Sequence, residues 1–359
     1  MKLLDRYIIK KFLGTFFFSI TLIISISIVF DFSENLDEFI EKDAPVKAIV
    51  FDYYLNFIPY FINLFSPLFI FIAVIFFTSK MASNTEIISI LASGISFRRF
   101  LVPYVISAIF LGLISFYLNS FLIPKSNQKR LEFRYTYIKN PTHNRDRNIH
   151  LQIDPNSYIY MGSYSNQTDV GIKFTIEQFD ENNELKYKLL ADFIKWDTVK
   201  NLWTIQNYYE RRIDGINESI KRGLTKDTIL NMLPQEFKKR ETDAEMLNFF
   251  ELNEEIEKEK FKGSKKVVFY EIEKHQRIAF PFASIILTLM GASIASRKVR
   301  GGIGIHLGQG LGLSFSYVLF MKVAQTFATN GGIDPMVSMW IPNMVFALLT
   351  VWLLSRAQK

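Results

Sequence analysis

Six stretches of this chain carry no Asp, Glu, Lys or Arg: Phe12 to Phe30, Tyr53 to Ser79, Phe100 to Pro124, Ile278 to Ser296, Gly301 to Met321 and Pro335 to Ser355. Each reaches the roughly 20 residues that an α-helix needs to cross a hydrocarbon core about 30 Å thick. Inside hydrocarbon every backbone N–H and C=O must find its partner within the protein, so a helix is the form open to such a run. The pattern predicts six transmembrane helices, three before residue 125 and three after residue 277. A mean hydropathy of only +0.13 averages these runs with the polar region between them.

The first run follows Lys2 and Arg6, as a signal peptide would, but it is longer than an h-region and no small-x-small site precedes the acidic "DFSENLDEF". It reads as a retained anchor. The absence of cysteine excludes a disulfide framework and any thiolate metal site. Basic residues cluster before the first helix (Lys2, Arg6, Lys10, Lys11), between the second and third (Lys80, Arg98, Arg99), between the fourth and fifth (Arg297, Lys298, Arg300) and at the end (Arg356, Lys359). The connection after the first helix is mostly acidic. By the positive-inside rule both termini face the cytoplasm and residues 125 to 277 lie outside. The formal net charge of +7 then follows from topology and calls for no nucleic-acid partner.

The outer region changes period. "SYIYMGSY", "FTIEQFD", "ELKYKLLADFIKWD" and "LWTIQNYYERRIDG" alternate bulky and polar residues and are broken by "ENN" and "TVKN", the pattern of antiparallel strands joined by tight turns. The fold class expected is an α-helical membrane protein with an inserted all-β, jellyroll-like domain. Its domains are 1–124 with a cytoplasmic coupling helix near 80–99, the β domain at 125–265, and the last three helices at 266–359. The charged stretch from Asp243 to Phe280 reads as helical and continuous with the fourth span.

Between the second and third runs, "SKMASNTEIISILASGISFRRF" is amphipathic. If residues 82–97 form one helix, Ile87, Ile88, Leu91 and Ile95 share one face, and Ser83, Glu86, Ser89, Ile90 and Ser93 share the other. Ile90 among Ser and Glu reads as a docking knob. The alternative is a helix resting among lipid headgroups. There is no GxxxxGK[ST] to cradle ATP phosphates, so nucleotide chemistry, if any, belongs to another polypeptide.

These motifs together resemble the LptF/LptG family of lipopolysaccharide-export permeases. The resemblance is carried by the N-terminal "LDRYI", by "NTEIISILASGIS", by "ADFIKWD" with "LWTIQNYYERR", and by "EIEKHQRIAFPFASIILTLMGASIASRKVRGG" followed by "IGIHLGQGLGLSF", in order along the whole chain. It implies two such permeases paired in the bacterial inner membrane, driven by an LptB-type ATPase dimer, passing lipopolysaccharide to periplasmic jellyroll proteins of the LptC and LptA type. It further implies that residues 79–99 are the coupling helix with Glu86 facing the ATPase, which makes Ser89, Ile90 and Ser93 on the same predicted face candidates for that contact, and that the first and fifth helices form a lateral gate. One family member carries a basic cluster at the outer end of helix one. This chain is acidic there, which favours the LptF-like role.

Gly304, Gly308 and Gly312 recur every four residues and would place a smooth stripe on the fifth helix, either for packing within the chain or as a seam with the partner permease. Lys322, towards the outer end of that helix, is a candidate for lipid phosphate, and Lys42, Lys47, Lys125, Lys129, Arg130 and Arg134 lie similarly beside the outer surface. Snorkelling at helix ends is the plainer explanation for such cations. His143, Asp146 and His150 in "HNRDRNIH" have no evident fourth ligand, and His306 reads as a packing or pore-lining residue, so no metal, cofactor or catalytic group is assigned. The function expected is that of the membrane permease of an ATP-driven lipopolysaccharide exporter, not itself an enzyme. The alternative is a membrane-tethered envelope scaffold or sensor whose β domain binds a periplasmic partner without transport.

Overall fold

The computed structural model describes residues 3–138, 147–299 and 302–357, with only the backbone of Glu241. Each charge-free run falls, to within a residue, on a helix long and apolar enough to cross a membrane: α1 Leu3–Glu34, α2 Val46–Ser83, α4 Phe97–Tyr137, α6 Val267–Ala295, α7 Gly302–Thr329 and α8 Pro335–Arg356. The short helix α3, Glu86–Ala92, joins α2 to α4. Helix α5, Phe249–Phe261, precedes α6. The continuous helix expected into the fourth span is therefore two helices, parted at Gly263, whose φ of +62° lies in the left-handed region. Two compact units result, one of residues 1–139, 245–252 and 271–359, the other of residues 140–244 and 253–270.

Within the membrane unit, small residues let helices approach where a side chain would collide. A Cβ on Gly112 of α4 would lie 3.1 Å from the Pro281 carbonyl of α6, one on Gly291 of α6 would lie 3.0 Å from Phe71 of α2, and one on Gly310 of α7 would lie 2.5 Å from Ile75 of α2. Buried polar side chains bond from helix to helix, because an unpaired one in hydrocarbon is costly. Asn63 Nδ2 of α2 donates to Asn119 Oδ1 of α4 at 2.8 Å, and Ser115 Oγ donates back to Asn63 Oδ1 at 2.7 Å. Asn119 lies in a π-helical turn, Leu118–Leu122, matched by another at Ile49–Tyr54 of α2. Tyr317 of α7 donates to Asn343 Oδ1 of α8 at 2.8 Å, and Asn343 Nδ2 donates to the Ala279 carbonyl of α6 at 2.9 Å, so one Asn holds three helices together.

The second unit holds a six-stranded antiparallel sheet in simple meander order: β1 Arg147–Asp154, β2 Ser157–Ser165, β3 Val170–Phe179, β4 Leu185–Asp197, β5 Leu202–Asp214 and β6 Asn217–Thr228. The four alternating segments read from the sequence are β2 to β5. Their core is built on Trp203, fully buried, whose Nε1 donates to the Met232 carbonyl at 3.0 Å, with Tyr164 and Phe237 beside it. The buried parity changes midway along these strands. In β2 it passes from Ile159 and Met161 to Tyr164, in β4 from Leu189 and Ala191 to Ile194, and in β5 from Trp203 and Ile205 to Glu210. A one-residue slip exchanges the two faces of a strand, and a crease across the sheet accomplishes it here. Along this crease Lys173 of β3 and Asn207 of β5 adopt φ of +56° and +52°. Asn207 Nδ2 also donates to Asp192 Oδ2 of β4 at 3.2 Å.

Asn tolerates the left-handed region, whereas a Lys there is strained by on the order of 1 kcal/mol. Lys173→Asn should therefore stabilise the β unit by about 0.5–1 kcal/mol, and Lys173→Val should destabilise it by at least as much. Chemical unfolding followed by tryptophan fluorescence distinguishes the two, since Trp203 sits in that core.

Candidate functional site

The coupling segment is shorter and differently faced than its periodicity predicts. Helix α2 runs on to Ser83, and Thr85 then breaks the chain at φ +62°. Helix α3 lasts only from Glu86 to Ala92, Gly94 turns the chain at φ +85°, and Ser96 caps α4 by accepting from the Arg99 N–H. The single helix over 82–97 is thus three pieces, because two residues with positive φ cannot lie inside an α-helix. Ile87 is buried as expected. Ile90, expected outward, is half-buried with Leu91 against the core of the bundle, and Ile88, expected inward, is 50% exposed. Ser89 and Ser93 are exposed, their hydroxyls turned back to the Thr85 and Ile90 carbonyls. The outward face of α3 is therefore Glu86, Ile88, Ser89 and Ala92.

Two polar contacts hold this segment to the first turns of α1. Tyr7 Oη donates to Glu86 Oε2 at 2.9 Å, and Asn84 Nδ2 donates to Glu86 Oε1 at 3.2 Å. Arg99 donates through both Nη atoms to the two carboxylate oxygens of Asp5, each at 2.7 Å. Asp5 is only 4% exposed. Paired fork-to-fork bonds of this kind are short, charge-assisted and orientationally fixed. Ile8, Phe12, Ile87, Phe97 and Phe100 close an apolar layer around them. The sequence reading missed Asp5 and Tyr7; the signal available was a lone acidic residue in "LDRYI", among the basic residues that precede the first charge-free run.

The stripe of Gly304, Gly308 and Gly312 lies on the exposed side of α7, and a Cβ at any of the three would meet nothing within 4 Å. Packing inside the chain falls instead to Gly310, against α2. His306 is buried, with Nε2 at 3.0 Å from the Arg297 carbonyl.

The expected phosphate-facing cations divide. Lys47, Lys125 and Lys322 are exposed, Lys42 is half-buried, and Lys322 Nζ donates to Gln325 at 3.2 Å. Arg130 is 7% exposed and its guanidinium stacks on Tyr60 at 4.1 Å, so it is a buried structural cation, contrary to its expected place at the surface. It belongs to a polar cluster that sequence reading did not find, in which the segment 245–252 is strapped to α4 and α6. Asn127 Nδ2 lies 3.4 Å from Glu245, Gln128 Nε2 donates to the Met246 carbonyl at 2.9 Å, and Arg277, 1% exposed, donates to the Leu247 carbonyl and to Glu273, each at 2.8 Å. Burial, with the Glu273 carboxylate near it, pushes the Glu245 carboxyl up to about 7 against the pull of Arg130, Lys322 and Arg277. His143 and Asp146 lie outside the described residues, while His150 is in β1 with its ring 4.8 Å from that of Tyr160.

In the β unit a cavity of about 520 Å³ is lined by Ile176, Leu189 and Ile205 together with Lys186, Arg212, Lys226 and Asp214. Beside it Glu210, 5% exposed, accepts from Lys226 Nζ and Arg212 Nε, each at 2.8 Å. Burial raises the Glu210 carboxyl, but these two cations outweigh burial and hold it below the usual carboxylate range.

The sequence matches the lipopolysaccharide export system permease LptF/LptG family over residues 6–356, and the chain belongs to that family. It is 20% identical over 355 residues, 98% of each chain, to the lipopolysaccharide export system permease protein LptG of Escherichia coli strain K12, and equally to LptG of Escherichia coli O6:H1. These relatives carry the LptG name, whereas the acidic first connection suggested an LptF-like subunit.

Two outcomes follow. Gly310→Leu should cost about 1–3 kcal/mol through overpacking on Ile75, while Gly308→Leu should leave the melting temperature of the purified chain unchanged. Because the fold holds Glu245 at about 7, above its ordinary 4.5, folded chains keep a proton that unfolded chains lose between those values, so this site's contribution to stability falls as pH rises from about 4.5 to 7. Glu245→Gln should remove that fall and be more stable than the natural chain at pH 8 by about 1–3 kcal/mol in thermal or chemical unfolding.

Proposed function

We propose that this multi-pass inner-membrane permease takes lipopolysaccharide from the outer leaflet of that membrane and hands it to periplasmic β proteins, using ATP hydrolysed by a separate LptB-type ATPase dimer. The observation that carries the reading is the outward face of α3: a carboxylate, Glu86, with Ser89 and the exposed Ile88, on a short helix between two spans. A soluble domain with basic side chains in a groove fits that surface better than a lipid headgroup layer does, since an anionic, serine-rich face has little to offer anionic headgroups. Ser93 extends the polar face and Ile90 supports it from beneath.

The remaining parts fit the same role. Basic residues at both chain ends and around α3 favour placing that end of the bundle in the cytoplasm and the β unit in the periplasm. The outward stripe of Gly304, Gly308 and Gly312 suits a close seam with a second permease of the family, opening to admit lipid. Lys322, Lys42, Lys47 and Lys125 are accessible to lipid phosphates, while Arg130 acts only within the bundle. The cavity beside Glu210, lined by apolar and polar side chains together with three cations and Asp214, could take acidic groups of an amphipathic lipid. Strand β6, at an open edge of the meander, offers backbone groups to LptC- or LptA-type neighbours, whereas the β1 edge is partly taken up, its Gln152 N–H donating to the Lys262 carbonyl at 3.0 Å. A scaffold without transport would leave the α3 surface unexplained.

Glu86→Lys tests the reading. Reversing the charge in a close interface costs several kcal/mol, so the variant should insert normally, copurify with at least tenfold less ATPase, and lose ATP-dependent lipid release. Full ATPase retention with undiminished release would make α3 a helix lying on the lipid surface.

A further inference from the structure

The first span is gripped at both ends, at the far one by Tyr53 and Tyr54 of α2, which donate to Asp31 at 3.2 and 3.1 Å, and is loosely packed between them. Only 22% of its apolar window is buried, the lowest share among the six spans together with that of α7. Its first two turns, in contrast, carry the nearly buried Asp5 and two separate polar links to the segment that follows α2. Tyr7 reaches Glu86 at the start of α3, and Asp5 takes both arms of Arg99 at the start of α4. The two links thus bracket residues 84–96 at both ends. A bidentate Arg–carboxylate pair fixes direction as well as distance, so the bracketed segment cannot tilt without turning the base of α1. Glu86 has acceptor capacity left after bonding Tyr7 and Asn84, because each carboxylate oxygen can take two donors.

Resting on the export reading above, we infer that Asp5 and Arg99, with Tyr7, are positioning residues that lock the first span to the coupling segment, so that displacement of residues 84–96 by the ATPase swings α1. Helix α1 is suited to respond, since its buried apolar residues are Ile8, Phe12, Phe16, Ile20 and Ile24, with Leu13, Ile23 and Ile28 partly buried beside them, and Phe17, Phe18, Leu22 and Val29 are exposed. Among the described residues the side-chain hydrogen bond from a span to α3 comes from α1, and α1 is joined to the segment at both ends.

The chain has no cysteine, so spin labels at Ser25→Cys on α1 and Leu348→Cys on α8 are unique. The full chain, assembled with its ATPase and a second permease in lipid discs, is measured with and without ATP and vanadate. The interspin distance should shift on trapping. Asp5→Ala should abolish the shift and lower lipid release at least fivefold, with ATPase retention and hydrolysis within twofold of the natural chain. Asp5→Arg combined with Arg99→Asp should restore the shift, which lost packing alone would not. Tyr7→Phe with Arg99→Lys keeps the apolar layer and should at least halve the shift should Asp5→Ala fail to fold. A shift that survives in these variants while the ATPase is retained overturns the lock alone. Failure of the natural chain to retain the ATPase overturns the export reading and the lock with it.

Discussion

Everything in this protein answers to one constraint, the cost of an unpaired polar group in hydrocarbon. It makes each charge-free run a helix, and it decides where polar side chains are tolerated between helices. Asn63, Ser115 and Asn119 bond to one another from α2 to α4, and Asn343 bonds at once to Tyr317 and to the Ala279 carbonyl. Such bonds contribute about 1 kcal/mol or less each between membrane helices. Their larger effect is on register, because a helix that slid by one residue would leave two or three of these groups without partners. Glycines 112, 291 and 310 complete the arrangement by allowing close approach to the Pro281 backbone, the Phe71 ring and the Ile75 side chain.

Charge is confined to the two ends of the bundle, and there it is organised. At one end the Asp5–Arg99 pair and the Tyr7–Glu86 bond tie α1 to the coupling segment. At the other, Arg130, Glu245, Glu273 and Arg277 fasten the segment 245–252 to α4 and α6. A buried ion pair contributes little net stability compared with apolar packing of the same volume, but breaking one by removing a single partner is costly. Both clusters therefore specify position more than they stabilise. This chain of the permease family has six spans and an inserted β domain, and the proposed transport needs what these clusters provide: a docking helix whose movement reaches a span, and a return segment that stays seated.

Much of this was legible in the residues themselves. Charge-free length located the six spans, and period-two alternation located β2 to β5, because both signals are carried by a single element and need no partner. What depends on two elements at once was not legible. The crease through Lys173, Asp192 and Asn207 reverses buried parity, so alternation read along β4 or β5 alone gives the correct strand and the wrong face for half of it. Edge strand β6 carries almost no burial pattern and escaped notice. In the coupling segment, period 3.6 was extended across Thr85 and Gly94, which placed Ile88 inward and Ile90 outward, the reverse of their positions against the bundle. Arg130 looked like a surface cation because its neighbours in sequence are polar; its burial depends on Tyr60 and on the distant segment at Glu245.

The central claim is that this chain moves lipid at the expense of ATP spent elsewhere. It is tested most directly by incorporating the chain, a second permease of the family and the ATPase into vesicles with labelled lipopolysaccharide, and timing transfer of the label to a soluble periplasmic β protein. The account requires transfer that depends on ATP, stops with vanadate and is absent when this chain is left out. Transfer at the same rate without ATP, or without this chain, would contradict it.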